Sequence, residues 1–187
     1  MAEIKSNGIY QGDLVTFLTS VITLGNEVKD DFNDVLAKLD TDGGLSDTNY
    51  ESTLAVATAD LSIGNIVANG IHQGDLATLL QNIATLGNEI RTNHGSLLTK
   101  LEADNAASSY TPENDIGAAA LDASKLVGTG INYGDVFPFL SAAVTLFNEL
   151  KLELNAVETK LDADSGVTLD TYASGDPVTS SDLSLSV

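Results

Sequence analysis

The chain has 187 residues, 43% of them hydrophobic but only 5% aromatic, with no Trp and no Cys. Its 27 acidic residues outnumber 8 Lys and Arg, for a formal charge of −19. Disulfide, thiolate and Cys-ligated metal chemistry are thereby excluded, and a surface this negative, with no basic stripe, opposes binding to a phosphate backbone.

The opening residues Met1-Ala2-Glu3-Ile4-Lys5 lack the apolar stretch of a signal peptide, and no run reaches the length of a membrane span. The expectation is a soluble protein made in a cytoplasm, with neither nucleic acid nor membrane as partner. Its core must come mostly from Leu, Val, Ile and Ala.

One phrase recurs three times. Asn7-Gly8-Ile9-Tyr10-Gln11-Gly12-Asp13-Leu14 returns as Asn69-Gly70-Ile71-His72-Gln73-Gly74-Asp75-Leu76 and as Thr129-Gly130-Ile131-Asn132-Tyr133-Gly134-Asp135-Val136. The repeated Asp stands at 13, 75 and 135, so the intervals are 62 and 60 residues. The repeats run over 7–68, 69–128 and 129–187 and fill nearly the whole chain, which predicts one composite domain over 1–187.

In the first repeat, apolar residues at Leu14, Leu18, Val21, Val28, Phe32, Val35 and Leu39 alternate steps of four and three, with one gap at Gly25. This heptad seam, widened by Phe17, Leu24 and Leu36, predicts a helix from Asp13 to Asp40. Asp13, like Asp75 and Asp135 at the equivalent places, suits an N-cap, and Lys38 complements the dipole in the last turn. The following connector, rich in Asp, Ser, Thr and Gly, predicts a short helical turn near Tyr50 to Ala57, with Gly43-Gly44 as a helix stop.

The second repeat sets Leu76, Leu80, Ile83, Gly87, Ile90, His94, Leu97 and Leu101 on its seam, between Asp75 and Lys100. Its connector predicts a short turn near Ile116 to Leu121. The third sets Val136, Leu140, Ala143, Phe147, Leu150, Leu154, Val157 and Leu161, between Asp135 and Lys160. Pro138 falls in its first turn, where a missing N–H does little harm. The Ser/Thr-rich stretch from Thr168 to Val187 is expected to be extended or partly mobile.

A helix of about 28 residues spans roughly 42 Å. Connectors of about 30 residues are long enough to run back that distance, whereas antiparallel neighbours need only a few. The predicted fold is therefore mainly α: three tandem repeats in a parallel, pseudo-three-fold, coiled-coil-like bundle with long return connectors. One seam layer sharpens this prediction, reading Gly25, Gly87 and Phe147. Three Gly would leave a void and three Phe would overpack, but one Phe against two Gly fills the layer. Two further layers read Phe32, His94 and Leu154, and Val21, Ile83 and Ala143. A monomeric pseudo-trimer is favoured, with a homotrimer as the alternative.

Catalytic machinery is missing from the sequence. His72 and His94 are the only neutral-pH bases, and His94 lies on the seam as a core filler. No Ser-His-Asp set, phosphate-binding glycine loop or metal-binding helix motif occurs, so neither catalytic nor cofactor-binding residues are assigned. The repeated pairs Asp40/Asp42, Glu102/Asp104 and Asp162/Asp164 sit at helix C-termini, where the dipole disfavours negative charge. They are the only candidates for a metal, a calcium ion bridging carboxylates and free helix carbonyls, and the competing reading is solvated loop acids that stop a helix. Asn26-Glu27, Asn88-Glu89 and Asn148-Glu149 recur midway along each helix, either as a polar register device across the bundle or as a solvated flank.

Two stretches carry a family resemblance. Asn148-Glu149-Leu150-Lys151, Asn155 and Lys160-Leu161-Asp162-Ala163-Asp164-Ser165-Gly166-Val167-Thr168-Leu169-Asp170-Thr171-Tyr172 form one. Asn26-Glu27-Val28-Lys29 and Lys38-Leu39-Asp40-Thr41-Asp42-Gly43-Gly44-Leu45-Ser46-Asp47-Thr48-Asn49-Tyr50 form the other. Together they resemble small virion structural proteins of tailed bacteriophages, the capsid-decoration and head-fibre-like family. The resemblance covers roughly the latter half of repeats one and three, and repeat two departs from it at Asn105 to Pro112. It implies a non-enzymatic role in the virion, after synthesis in the host cytoplasm, with the major capsid protein or another virion protein as partner. A decoration or cement protein at a three-fold or quasi-three-fold position is the leading expectation. A fibre, neck or tail component is the alternative, followed by a calcium-dependent adhesin module or an enzyme.

Overall fold

The computed structural model describes residues 11–104, 106–111, 113–126, 131–175 and 177–185. Three helices of 31 residues carry it: α1 Gln11–Thr41, α4 Gln73–Ala103 and α5 Tyr133–Ala163. Each spans about 46 Å at 1.5 Å per residue. Two short helices, α2 Tyr50–Leu54 and α3 Gly64–Asn69, lie between α1 and α4. The protein is mainly α, and no strand occurs among the described residues.

The long helices form where the seven-residue apolar pattern runs, and each packs against the other two. Leu18, Val21, Val28, Phe32 and Val35 of α1, Leu80, Ile83 and Leu97 of α4, and Leu140, Ala143, Phe147 and Val157 of α5 have no exposed surface and belong to one apolar core. On the outer faces, threonine hydroxyls bond the carbonyl one turn back, as Thr19 does to Val15, Thr85 to Gln81 and Thr145 to Ser141. Outward-facing polar groups thus find partners without breaking the helix.

Helix starts differ from the prediction. Asp75 and Asp135 are not caps, because α4 and α5 begin two residues earlier with His72 and Asn132 in the cap positions. Asp13 likewise lies inside the first turn of α1, and the repeat's opening residues 7–10, 129 and 130 lie outside the described residues. The three aspartates still complement the dipole from the first turn. The α5 cap is the Asn132 side chain, which accepts the Gly134 N–H at 3.0 Å. Pro138 consequently sits inside α5, in its second turn rather than its first.

The connectors are packed structures. Leu45, Tyr50, Leu54, Val56, Leu61 and Ile66 of the first are buried against the long helices, as are Tyr110, Ile116, Leu121 and Leu126 of the second. The described residues from 168 onward form a third connector of the same kind: Tyr172 and Val178 are buried, with Leu169, Leu183 and Leu185 packed beside them. The turn expected near Tyr50 is α2, but residues 116–121 are not helical, and α3 was not anticipated. Short segments of this kind take their conformation from the surface they cover, which local sequence does not report.

Gly44 does more than stop a helix. A Cβ there would lie 2.3 Å from the Gly166 carbonyl oxygen and 2.9 Å from the Val167 Cα. The first and third connectors cross backbone to backbone at this point, and only Gly leaves room.

The layer of Gly25, Gly87 and Phe147 is a contact. The Phe147 ring, fully buried, comes within 3.2 Å of the place a Cβ would occupy on Gly25 and 3.3 Å of that on Gly87. Phe32, His94 and Leu154 are also buried, with the Phe32 and His94 rings tilted at 44° and 6.4 Å between centroids.

Candidate functional site

The polar residues that recur along the long helices grip the connectors. Asn26 of α1 receives the Leu61 N–H at 2.8 Å and donates to the Leu61 carbonyl at 3.1 Å. Asn88 of α4 does the same to Leu121 (2.7 and 2.9 Å), and Asn148 of α5 to Leu183 (2.9 and 2.8 Å). In each case a side-chain amide pairs with both backbone groups of one connector Leu, as a strand neighbour would.

The adjoining glutamates reach the connector that follows a different helix. Glu89 of α4 accepts the N–H groups of Ala57 and Thr58, at 2.8 and 3.0 Å, from the connector after α1. Glu149 of α5 accepts those of Gly117 and Ala118, at 2.5 and 2.8 Å, from the connector after α4. Glu27 of α1 accepts the Ser180 N–H at 2.9 Å, from the connector after α5. The Asn-Glu repeats are therefore neither a register device across the core nor a solvated flank. Each connector lies between two helices and is held by both.

The acids at the helix C-termini repeat the scheme. Asp40 accepts the N–H groups of Tyr50 and Glu51, Glu102 those of Tyr110 and Thr111, and Asp162 those of Tyr172 and Ala173. These hold each helix's own connector. The acids two residues on hold a different one. Asp104 accepts from Ser46 and Asp47 N–H and from the Tyr50 hydroxyl at 3.0 Å. Asp164 accepts from Ala107 and Ser108 N–H and from the Tyr110 hydroxyl at 2.9 Å. Asp42 accepts from Thr168 and Leu169 N–H and from the Tyr172 hydroxyl at 3.0 Å. All three tyrosines are fully buried. The C-terminal ends of the long helices thus meet through their connectors.

Electrostatics follow from these bonds. Burial opposes ionisation of Asp42 and Asp164, but converging backbone N–H groups and a hydroxyl outweigh it and hold both carboxyls below the usual range. The same contest, with the Thr58 hydroxyl and N–H groups of Ala57 and Thr58 as donors, lowers Glu89. Burial, then the aspartate bonded to each, pushes the Tyr50 and Tyr110 phenols up.

An acid at a helix C-terminus is unfavourable toward the dipole, and the bonds to connector N–H groups offset that here. The six acids are occupied in this way, and no group of three or more His, Cys, Asp or Glu among the described residues is placed to hold a metal ion.

Cations complete the grip. Lys29 pairs with Asp60 at 2.5 Å, the Arg91 Nε donates to the Ala118 carbonyl at 2.8 Å, and Lys151 donates to the Ser180 carbonyl at 2.7 Å and Asp182 at 2.9 Å. Lys100 and Lys160 lie over the rings of Tyr50 and Tyr110, 4.6 and 5.0 Å from the centroids. Such contacts add about 0.5–1 kcal/mol at exposed sites and about 2 kcal/mol where desolvated.

His94 is not placed for catalysis. Its Nε2 lies 3.0 Å from the Asn114 carbonyl oxygen, an acceptor that fixes the proton on that nitrogen. Burial lowers its pKa, against the smaller opposing effects of the Asn114 bond and Asp115. The unfolded chain therefore binds a proton that the folded chain refuses, and stability falls as pH drops below about 6.5. Chemical denaturation between pH 7 and 5 should show this loss as a difference: the wild type should lose stability relative to His94→Leu, which carries the residue found at the equivalent Leu154.

What the sequence did not single out is a buried acid on α5. Glu158 is 1% exposed and sits near Asp31 of α1, which is 2% exposed. The signal was present, since the equivalent positions are Leu36 and Leu98. Among the described residues no helix is long and apolar enough to cross a membrane. Among the described residues, Leu152, 65% exposed, and Val67, 64% exposed, are the large apolar side chains left at the surface.

Set beside known proteins, the chain matches no family, no curated protein and no solved structure.

Proposed function

We propose that the chain is a non-enzymatic virion structural protein of a tailed bacteriophage, a decoration or cement protein that binds the head surface at a three-fold or quasi-three-fold position. In this proposal the repeats at 7–68, 69–128 and 129–187 form a parallel, pseudo-three-fold bundle within one chain. The partner is the major capsid protein or another virion protein, and the protein works after synthesis in the host cytoplasm.

The observation that carries the proposal is the cyclic order of the grips. The connector after α1 is held by α1 and α4, the one after α4 by α4 and α5, and the one after α5 by α5 and α1. The last link closes onto the first helix, which is the bonding expected of three equivalent units in a ring. A body of this kind presents three similar outer faces in one covalent unit, at the high effective concentration that a three-fold site rewards. A pre-folded body adheres without an ordering cost at binding. The resemblance of 26–50 and 148–172 to phage virion proteins supplies the biological setting.

The test is co-sedimentation of the full chain with expanded capsids of its phage, alongside native mass. A monomer that pellets with expanded capsids at a fixed ratio supports the proposal. Failure to bind expanded capsids overturns the decoration role, and a stable homotrimer favours a fibre, neck or tail component instead.

A further inference from the structure

The interface between α1 and α5 contains an acid that the other long helices lack at that place. Glu158 is buried in the position that Leu36 and Leu98, both core residues, hold in α1 and α4. Among the described residues its Oε1 has no hydrogen-bond partner. Of the charged groups acting on it, Asp31 across the interface is the strongest. The equivalents of Asp31 serve the connectors, Asn93 donating to the Leu54 carbonyl at 2.8 Å and Glu153 accepting from the Asn114 amide at 3.4 Å.

Among the described residues, Asp34 and Lys38 of α1 and Asp162 of α5 also act on Glu158. Lys38 favours ionisation, yet it is already paired with Asp34 at 2.7 Å. On its other side Asp31 lines a groove with Glu27, Asp30 and Asp34, beneath Pro177, Val178 and Thr179 of the third connector. Two ionised carboxylates in an otherwise apolar seam incur both desolvation and mutual repulsion. One proton removes a charge and makes Glu158 a donor.

We infer that Glu158 is held protonated beside Asp31 and forms an alkali-released latch between α1 and α5, whose ionisation loosens the third connector over residues 177–183. Leucine at the two equivalent positions confines the effect to this one interface. Burial, followed by the charge of Asp31, pushes the Glu158 carboxyl from 4.5 up to about 8. Between those values the folded chain keeps a proton that the unfolded chain has lost. Stability therefore falls as pH rises through the window, and the loss is complete above it.

The experiment uses the full chain. Carbon-13 NMR of labelled Glu carboxyls should find one that is protonated at pH 6 and disappears from that state in Glu158→Gln. The wild-type thermal midpoint should fall by about 5–10 °C between pH 6 and 9 relative to Glu158→Leu. Amide exchange over 177–183, corrected for intrinsic rate, should accelerate about tenfold across that range while 57–61 does not. A Glu158 carboxyl already ionised at pH 6, or a wild-type pH profile that parallels Glu158→Leu, overturns the latch.

Discussion

Phe147→Ala should destabilise the chain by about 4 kcal/mol, within the range for emptying a fully buried Phe site. The loss should be large because the ring faces two glycines, which have no side chains to collapse into the space. The decisive measurement is a double-mutant cycle with Gly87→Ala. In the wild type the new methyl would sit 3.1 Å from the Leu146 Cδ2 and 3.3 Å from the Phe147 Cζ, so crowding cancels most of the helix-propensity gain of about 1 kcal/mol. In the Phe147→Ala background the same methyl has the vacated ring's space and should stabilise by about 1 kcal/mol or more. Urea unfolding of the four proteins yields the coupling energy. Strict additivity would mean that the layer is not shared across the three helices.

Asp164→Ala should destabilise by about 3–5 kcal/mol, the other large effect. The carboxylate is 5% exposed and accepts from the N–H groups of Ala107, Ser108 and Gly166 and from the Tyr110 hydroxyl. Its loss strands several donors, one on a fully buried phenol, and each orphaned buried group costs about 1–3 kcal/mol. Tyr110→Phe alone should cost only about 1 kcal/mol, because three backbone donors remain on the carboxylate. In Asp164→Ala, adding Tyr110→Phe should recover stability, since the orphaned hydroxyl is then gone. Thermal unfolding of the cycle checks this sign change, and additive losses would refute the clamp. Denaturation scans should also show an acid-side loss in the wild type. Asp42, Asp164 and Glu89 are held below their unfolded values, so their contribution is present above about pH 4 and disappears as pH falls through the folded values.

These two sites divide the molecule by how readable it is. The Phe147 layer is visible in sequence because a heptad seam repeats in register, so complementary volumes can be compared position by position. The carboxylate clamps are hidden. Asp42 bonds Tyr172, 130 residues away, and Glu27 bonds Ser180, 153 residues away. Their partners are mostly backbone N–H groups, which every residue but Pro carries and which leave no mark in the sequence. The pairs at 40/42, 102/104 and 162/164 were noticeable only as acids at the unfavourable end of a helix. That anomaly invited a cation where the structure supplies connector amides instead.

The same limit explains the connectors. Gly44 suggested a helix stop, while the space it leaves is needed by Gly166 and Val167, more than 120 residues on. The residues from 168 onward suggested an extended tail, while Tyr172 and Val178 are buried as firmly as their counterparts in the first two connectors. Apolar residues spaced irregularly through Ser, Thr and Asp have no periodicity to announce which face is covered.

By itself the sequence determined three long helices, their common register, an apolar core poor in aromatics, and the pairing of one Phe with two Gly. Those follow from periodicity and side-chain volume, which are local properties of a chain. Tertiary structure alone decided which helix grips which connector, that the helix-terminal acids are hydrogen-bond acceptors for loop backbone, and that Glu158 lies buried beside Asp31. Those depend on where distant backbone amides and charges come to rest, and packing the three helices together is what brings them within reach.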